Sequence, residues 1–263
     1  MTTNSNTWNP STYLEFADYR ARPGMDLLSR IDLRVPGQIY DLGCGPGNLT
    51  QQVKARWPDR KVTGIDSSPT MLEKARALKA DIAWQSGDIS TWTPETPPAL
   101  LFANAAFQWV PNHRELFPRL MRSVAPGGVL ATQMPLTADA PYHHCLEKLL
   151  DTPRWHERLR GVPYHEHAWP AGSYYNLLIP YAKQIDVWET HYHHVLADIH
   201  AVTTWVSGTA LTTYLAELRA EERQLFLDDY TDIASATYPA RLDGKVLFTM
   251  RRLFIVAERN EKS

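Results

Sequence analysis

The sequence predicts an α/β protein built on a mostly parallel, seven-stranded sheet, with helices on both faces and a mainly helical cap insertion. In the first half of the chain, short apolar runs bounded by turn residues alternate with stretches of helical periodicity. This alternation is typical of strands and helices that build a parallel sheet. A glycine-rich turn follows the first apolar run. Ligands of such sheets bind outside the carboxyl ends of the strands, so this turn marks the expected binding edge.

The first half of the chain supplies five predicted strands and three predicted helices. Each strand is a brief apolar run between turn residues, and these runs cover residues 39–42, 62–65, 82–84, 100–103 and 129–134. The helices repeat apolar residues at helical spacing and cover residues 49–57, 70–78 and 114–124.

The second half of the chain breaks this rhythm. Residues 141–182 are rich in His, Tyr, Trp and Pro, and short helical patterns follow over residues 200–236. We interpret this region as an inserted cap, and residues 187–196 and 246–258 as two late strands of the same sheet. We therefore expect one domain over residues 1–263. Its parts are a ligand-binding core at about 30–135, the cap with one late strand within about 136–240, and the terminal strand at 241–263.

Composition and charge narrow the classes of partner. The formal net charge is -2 and no long apolar stretch occurs, so we expect neither nucleic acid nor a membrane as partner. A small-molecule substrate is the default, and nothing in the composition indicates an obligate protein partner. The polar amino terminus lacks a secretory pattern, and the two cysteines, Cys44 and Cys145, lie far apart in the sequence. Both observations predict a cytoplasmic protein.

The glycine-rich turn after the first strand is suited to close contact with a ligand. Glycine at Gly43 and Gly45 allows a sharp turn and an approach that a side chain would block. The turn departs from the NAD fingerprint, because its third glycine comes one place early and Asn48 holds the sixth position. By itself the turn therefore fits two classes of cofactor.

Acidic residues end the next two predicted strands. Asp66 follows the glycine turn by about 20 residues, where a carboxylate can accept both hydroxyls of an adenosine ribose. Asp88 follows the third strand and could accept a hydrogen bond from the exocyclic amine of adenine. Ile89 could then pack against the base. The three features end successive strands, so they are expected to converge at one edge of the sheet.

These motifs together resemble a known enzyme class. DLGCGPG, GIDSSPTML, GDI, LLFANAAFQWV and the Pro126-Gly127-Gly128 turn resemble the successive motifs of class I S-adenosylmethionine-dependent methyltransferases, whose fold is Rossmann-like. Four further segments resemble the trans-aconitate 2-methyltransferase family over nearly the whole chain: WNPSTYLEFADYRARPG, WVSGTALTTYL, YPARLDGKVLF and RRLFIVA.

The resemblance implies a cofactor, S-adenosylmethionine, and a role for each matching residue. Asp41 would lie near the methionine amino group, while Gly43 and Gly45 would let the cofactor approach. Asp66 would hold the ribose and Asp88 the adenine. The remaining members of the predicted cofactor site flank these positions: Asn48, Ser67, Met71, Ile89, Asn104, Phe107 and Trp109.

Four of those flanking positions would form the walls of the site. By the same resemblance, Met71 would cover one face of the adenine, and Asn104 would lie beside the methyl group with the aromatic residues Phe107 and Trp109. An aromatic ring near a sulfonium is physically reasonable, because its quadrupole attracts a cation. Core packing explains Phe107 equally well.

The implied substrate, trans-aconitate, is a small polycarboxylate. Its carboxylates are ionised near neutral pH and already nucleophilic, so no general base is needed and we name no catalytic residue. The enzyme would hold a carboxylate oxygen in line with the methyl group and exclude water. The products would be a monomethyl ester and S-adenosylhomocysteine.

Arginines are the expected ligands of a polycarboxylate, because the guanidinium forks match carboxylate geometry. Arg22 lies in an early segment with Tyr19, and Arg241 lies in the late segment that resembles the family. Arg251 and Arg252 should point to opposite faces of a strand, so at most one reaches a shared pocket. The predicted substrate-binding residues are Tyr19, Arg22, Tyr175, Trp205, Arg241 and Arg252. Any one of these arginines could instead belong to a solvated surface, since charged residues are mostly exposed.

The histidines predict no metal site. His191 and His193 share a strand face, but neither Cys nor Glu accompanies the histidines at zinc-site spacing. We expect them to line the cap.

Other functions remain open on the sequence alone. The glycine turn and Asp66 would also suit an NAD-dependent oxidoreductase, although that interpretation leaves Asp88 without a role. A non-catalytic relative could retain cofactor binding. A nucleic-acid or protein methyltransferase would require a basic groove or an Asn/Asp-Pro-Pro-aromatic motif where this chain has NAAF. A carboxyl methyltransferase acting on another small or carrier-bound acid would need the same arginines.

Overall fold

The structure is a computed structural model that describes residues 17–164 and 168–261, with side chains from residue 21 onward. Two compact units can be distinguished. The sheet unit comprises described residues 21–135, 168–190 and 252–261. The cap unit comprises described residues 17–20, 136–164 and 191–251.

The described residues contribute seven strands to one sheet, in the order β3-β2-β1-β4-β5-β7-β6. Their bounds are β1 Ile39–Leu42, β2 Val62–Asp66, β3 Ala83–Ser86, β4 Leu100–Asn104, β5 Val129–Leu136, β6 Ala182–Leu196 and β7 Val246–Arg259. The first five strands pair in parallel, and β1 lies between β2 and β4. The predicted mostly parallel, seven-stranded sheet is therefore confirmed.

The last strand reverses direction beside the fifth. The N–H of Arg259 donates to the carbonyl of Gly128 at 2.8 Å, and the N–H of Gly127 donates to the carbonyl of Arg259 at 3.1 Å. These bonds place the end of β7 beside the start of β5, so the two strands are antiparallel. The N–H of Asn260 also donates to the carbonyl of Tyr181, just before β6, at 3.0 Å. This bond places the end of β7 beside the start of β6, so these two strands are also antiparallel.

Two sheet strands differ from their predicted bounds at the edges of the sheet. Strand β6 begins at Ala182 rather than at residue 187. Its first residues include the exposed Lys183 and Gln184, because a terminal strand of the sheet is covered less than a central one. Strand β3, at the opposite edge, is largely exposed and extends to Ser86. The apolar signal on which the strand prediction relied is therefore weakest at both edges.

Helices cover the sheet unit. They are α1 Ala17–Ser29, α2 Asn48–Arg56, α3 Pro69–Ala77, α4 His113–Ser123 and α7 Ala171–Leu178. Helices α2, α3 and α4 confirm the three predicted helices within one or two residues at each end. Helix α1 was not predicted, because it contains Pro23, a residue that disfavours a helix interior. Leu27 and Leu28 of α1 are buried all the same.

The cap unit is mainly helical, as predicted. Its helices are α5 Pro141–Leu150, α6 Pro153–Leu159, α8 Ile199–Ser207, α9 Thr212–Ala216 and α10 Ala220–Thr237. They enclose an apolar core that includes Phe226 and Trp155, whose rings meet edge to face at 5.2 Å. The hydroxyl of Tyr230 on α10 donates to the carbonyl of Tyr142 on α5 at 2.9 Å. Burial of these aromatic side chains holds the cap helices together.

Among the helices of the described chain, none is long and apolar enough to cross a membrane.

Replacing Phe226 by Ala should lower the free energy of unfolding by about 3 to 5 kcal/mol, because the change leaves a cavity in the cap core. The matched control is Leu225→Ala, since Leu225 neighbours Phe226 on α10 but is exposed. Urea unfolding followed by circular dichroism measures both variants. Similar losses for the two variants would contradict this packing of α10.

Candidate functional site

Three loops that follow strands of the sheet unit meet around Gly43. A Cβ atom added to Gly43 would collide with the Cβ atom of Ala106, in the loop after β4. The same added atom would lie 3.5 Å from Cδ1 of Ile89, in the loop after β3. The loops after β1, β3 and β4 therefore converge at the carboxyl edge of the sheet, as its topology requires.

The carboxylate of Asp66 joins the loop after β2 to the glycine turn. The N–H of Gly45 donates to Oδ2 of Asp66 at 2.9 Å, and the N–H of Ser68 donates to Oδ1 at 2.8 Å. Both carboxylate oxygens are thereby oriented by fixed backbone groups. Ser67, between these elements, is exposed.

The glycine turn adopts a backbone that other residues rarely adopt. Gly43, Gly45 and Gly47 have φ values of +76°, +55° and +86°, in the left-handed region where a Cβ atom is strained. The N–H groups of Gly43 and Cys44 both donate to the carbonyl of Ile65, at 2.8 and 3.0 Å. Apart from its chain neighbours, no residue with a described side chain places an atom within 4 Å of the position where a Cβ atom of Gly45 would stand. These residues therefore leave the backbone of Gly45 open to close approach.

Asp41 is a buried acid beneath the glycine turn. Only 2% of its surface is exposed, and Oδ2 accepts a hydrogen bond of 2.6 Å from the hydroxyl of Thr50 on α2. Burial raises the pKa of Asp41 to about 7; the Thr50 hydrogen bond opposes the rise, and the negative charge of Asp66 adds to it. A cation placed beside this carboxylate would favour its charged form.

Asp88 begins a tight turn after β3. Its Oδ1 accepts the N–H of Ser90 at 2.8 Å, and its carbonyl accepts the N–H groups of Thr91 and Trp92 at 3.1 and 2.7 Å. Asp88 is exposed, and hydrogen bonds from Ser90 lower its pKa. Its carboxylate is thus an ionised acceptor on the surface of the turn.

The loop after β4 is held by an amide pair. Nε2 of Gln133 on β5 donates to Oδ1 of Asn104 at 2.6 Å, and Ala105 has a φ of +51°, which is strained for a residue with a side chain. A Cβ atom on Gly24 of α1 would stand 2.8 Å from the same Asn104 oxygen. Helix α1 therefore reaches the end of β4.

The two aromatic residues of this loop differ in exposure. Phe107 is fully buried, with its ring edge-on to Phe117 at 5.5 Å, so it packs in the core of the sheet unit. Trp109 is 47% exposed. Phe107 and Trp109 belong to one short 3-10 turn, Phe107–Trp109. Their contact with a methyl donor remains a prediction.

A hydrogen-bonded histidine supports this turn. Nδ1 of His113 lies 2.7 Å from the hydroxyl of Tyr174, and Nε2 of His113 lies 2.8 Å from the carbonyl of Phe107. The Tyr174 hydroxyl also accepts a hydrogen bond of 2.9 Å from the backbone N–H of Trp169. A carbonyl only accepts, so a neutral His113 carries its proton on Nε2 and accepts at Nδ1 from Tyr174. The pairing of His113 with Tyr174 could not be predicted from the sequence, because 61 positions separate the two residues.

The remaining cofactor candidates lie at helix starts. Met71 is half-buried in the first turn of α3, with its N–H 3.4 Å from Oγ of Ser68, the N-cap residue. Asn48 is the exposed first residue of α2. The structure thus places Met71 near the loop that carries Asp66, while the roles of Met71 and Asn48 remain predictions.

The substrate candidates occupy different environments. Tyr175 on α7 is exposed, as is Arg22 on α1, whereas Arg252 on β7 is buried. All three belong to the sheet unit. The side chain of Tyr19 lies outside the described residues.

The other two candidates belong to the cap unit. Trp205 is buried in the cap core, where its ring stacks on His194 at 4.7 Å. Arg241 is exposed in the turn before β7. Nη1 of Arg251 lies 4.0 Å from a carboxylate oxygen of Asp139. The substrate-binding roles of Trp205, Arg241 and the sheet-unit candidates stay predictions.

No group of three or more His, Cys, Asp or Glu side chains among the described residues could hold a metal ion.

Comparison with known proteins identifies the class of the fold. The family model described as "Methyltransferase domain" matches residues 39–128, which contain the glycine turn, Asp66 and Asp88. A solved structure of Haemonchus contortus phosphoethanolamine N-methyltransferase 2, in complex with phosphomonomethylethanolamine and S-adenosylhomocysteine, has a TM-score of 0.59 at 15% identity. The match covers 97% of this chain and 58% of that chain and shows the shared fold. The fold is that of class I methyltransferases.

Closer relatives define the family. A trans-aconitate 2-methyltransferase of Methylobacterium radiotolerans is 44% identical over 96% of this chain and 98% of its own. Another, from an Azoarcus species, is 43% identical over 96% of this chain and 99% of its own. The chain belongs to the trans-aconitate 2-methyltransferase family. Methyl transfer, rather than NAD-dependent oxidation, is the chemistry of this family.

Gly43→Ala should destabilise the protein by roughly 2 to 4 kcal/mol, since left-handed strain and the collision with Ala106 add together. Gly45→Ala is the matched control: it carries the strain, about 1 to 2 kcal/mol, but no collision. Denaturant unfolding measures both variants. Equal losses would show that the loops after β1 and β4 do not touch.

The raised pKa of Asp41 predicts a pH-dependent stability. Between pH of about 4 and about 7 the folded chain keeps a proton on Asp41 that the unfolded chain loses. The free energy of unfolding should therefore fall as the pH rises through this window. The expected fall is about 2 to 4 kcal/mol from this residue. Asp41→Asn retains an acceptor for Thr50 and should remove that part of the slope. Urea unfolding at a series of pH values tests this, and identical slopes in both proteins would refute it.

Proposed function

We propose that this chain transfers the methyl group of S-adenosylmethionine to a carboxylate of trans-aconitate and releases the monomethyl ester and S-adenosylhomocysteine. Sequence relatives and the geometry of the site both support this proposal. The curated relatives that carry the name trans-aconitate 2-methyltransferase match nearly the whole chain. The observation that carries the proposal is the hydrogen bond from Gly45 to Asp66, which joins two strand-end loops where that family's cofactor motifs lie.

The residues present fit the cofactor. The approachable backbone at Gly45 suits a ligand that lies across the turn. Asp66, with one hydrogen bond to each oxygen, would bind the ribose hydroxyls. Asp41 would face the ammonium group of the methionine part of the cofactor. Asp88 would accept a hydrogen bond from the exocyclic amine of adenine. The cofactor supplies a methyl group on an electrophilic sulfonium.

The protein's task in this reaction is positioning. A carboxylate of the substrate is ionised near neutral pH and needs no base, so we propose no catalytic residue. Asn104 is held in one orientation by Gln133, and the exposed Trp109 ring can attract positive charge. Holding the reactants in line and excluding water would then lower the barrier.

The substrate's negative charges require positive partners. We propose Arg22, Arg241 and Arg252 as carboxylate ligands, with Tyr19, Tyr175 and Trp205 as lining residues. Arg252 is the buried member of this set. We further propose that residues 1–263 act as one domain in the cytoplasm, without a metal, nucleic acid, membrane or obligate protein partner.

Purified protein with labelled S-adenosylmethionine should esterify trans-aconitate in preference to citrate, cis-aconitate and isocitrate. Mass spectrometry of the product measures the transfer, and heat-denatured enzyme is the blank. Methylation of a different small or carrier-bound acid would redirect the proposal to another carboxyl methyltransferase. Absence of transfer to every polycarboxylate would overturn the substrate assignment.

Asp66→Ala should weaken S-adenosylhomocysteine binding by about 1 to 3 kcal/mol, because the variant loses a charged acceptor of two hydrogen bonds. Asp59→Ala is the control, since Asp59 is an exposed aspartate outside the site. Isothermal titration calorimetry compares the two variants with the parent chain. Unchanged affinity in Asp66→Ala would place the cofactor elsewhere.

A further inference from the structure

Arg119 of α4 holds the turn that carries Asp88. Its Nη2 donates to the carbonyls of Ile89 and Ser90 at 2.7 and 3.0 Å, and its Nη1 donates to the carbonyl of Trp92. One guanidinium thus binds three carbonyls of a single turn. A planar, charged fork suits this task because it donates in several fixed directions at once.

These contacts complete a short helical turn. At its start, the Asp88 carboxylate accepts the N–H of Ser90, and the Asp88 carbonyl accepts the N–H of Trp92. The carbonyls of Ile89, Ser90 and Trp92 accept hydrogen bonds from Arg119, where the carbonyls at the end of a helical turn would otherwise bind water. The positive charge of Arg119 also attracts Asp88. The orientation of the Asp88 carboxylate therefore depends on both ends of the turn.

The base of the turn has anchors of its own. Trp92 is buried, and its ring meets Tyr40 of β1 edge to face at 4.8 Å. The N–H of Gly87 donates to the carbonyl of Asp66 at 3.1 Å. These contacts do not involve Arg119, so the fold should persist when the guanidinium is replaced while the segment from Asp88 to Ser90 loosens.

We propose that Arg119 is a positioning residue that sets the nucleobase specificity of the cofactor site by fixing Asp88 and Ile89. The inference rests on the proposed function. An ionised Asp88 accepts a hydrogen bond from the exocyclic amine of adenine, whereas hypoxanthine presents a carbonyl oxygen there and would be repelled. Discrimination between the two bases requires a carboxylate that cannot turn away.

The test compares S-adenosylhomocysteine with S-inosylhomocysteine by isothermal titration calorimetry. The parent chain should prefer the adenine ligand roughly tenfold or more. In Arg119→Lys, a single ammonium cannot bind three carbonyls in fixed geometry, so this preference should fall at least about fivefold. Arg114→Lys is the matched control, because Arg114 is an exposed arginine at the start of the same helix.

A second readout separates positioning from general damage. In methyl transfer, Arg119→Lys should raise the KM for S-adenosylmethionine with little change in kcat, and the melting temperature should stay near that of Arg114→Lys. If Arg119→Lys does not fold, Arg119→Met, which keeps an apolar stem, is measured in its place.

The outcomes are distinguishable. A preference in the Arg119 variant equal to that of the parent chain would overturn the role of Arg119. A parent chain that binds adenine and hypoxanthine ligands equally would overturn the link between Asp88 and the base. Failure of the parent chain to bind S-adenosylhomocysteine at all would instead overturn the proposed function.

Discussion

The candidate site depends on one carboxylate, that of Asp66, whose two oxygens each accept a hydrogen bond from a backbone N–H group. The bond from Gly45 ties the loop after β1 to the loop after β2, and the contacts of Gly43 bring in the loops after β3 and β4. Parallel strands place these loops at one edge of the sheet. The Asp66 bonds then fix how the first two loops meet.

The sequence was sufficient for features that are local or periodic. The central strands are mostly apolar because both of their faces are buried. The turn after β1 needs glycine for its left-handed backbone. Such requirements are visible residue by residue. The start of β6 was missed because the polar residues of an edge strand carry no apolar signal, and α1 was missed because Pro23 conceals its helical pattern.

The residues that support the site could not be predicted from the sequence, for a different reason. Arg119 binds carbonyls 27 to 30 positions away, Gln133 binds Asn104 at a separation of 29 positions, and His113 pairs with Tyr174 at a separation of 61. Their chemistry depends on which groups the fold brings beside them. Neither spacing nor residue type distinguishes Arg119 from the exposed Arg114 on the same helix. Phe107 is a related case: aromatic character suited both a ligand wall and a core position, and only its burial shows that it packs in the core.

Asp41 adds a chemical consequence to this arrangement. Its carboxyl group is buried under the glycine turn with a pKa of about 7, so near neutrality it is divided between acid and anion. Any cation that settles beside it competes with a proton for the same charge. Binding of a cation beside Asp41 would therefore release a fraction of a proton to the buffer. The measured heat of binding would then vary with the ionisation enthalpy of that buffer.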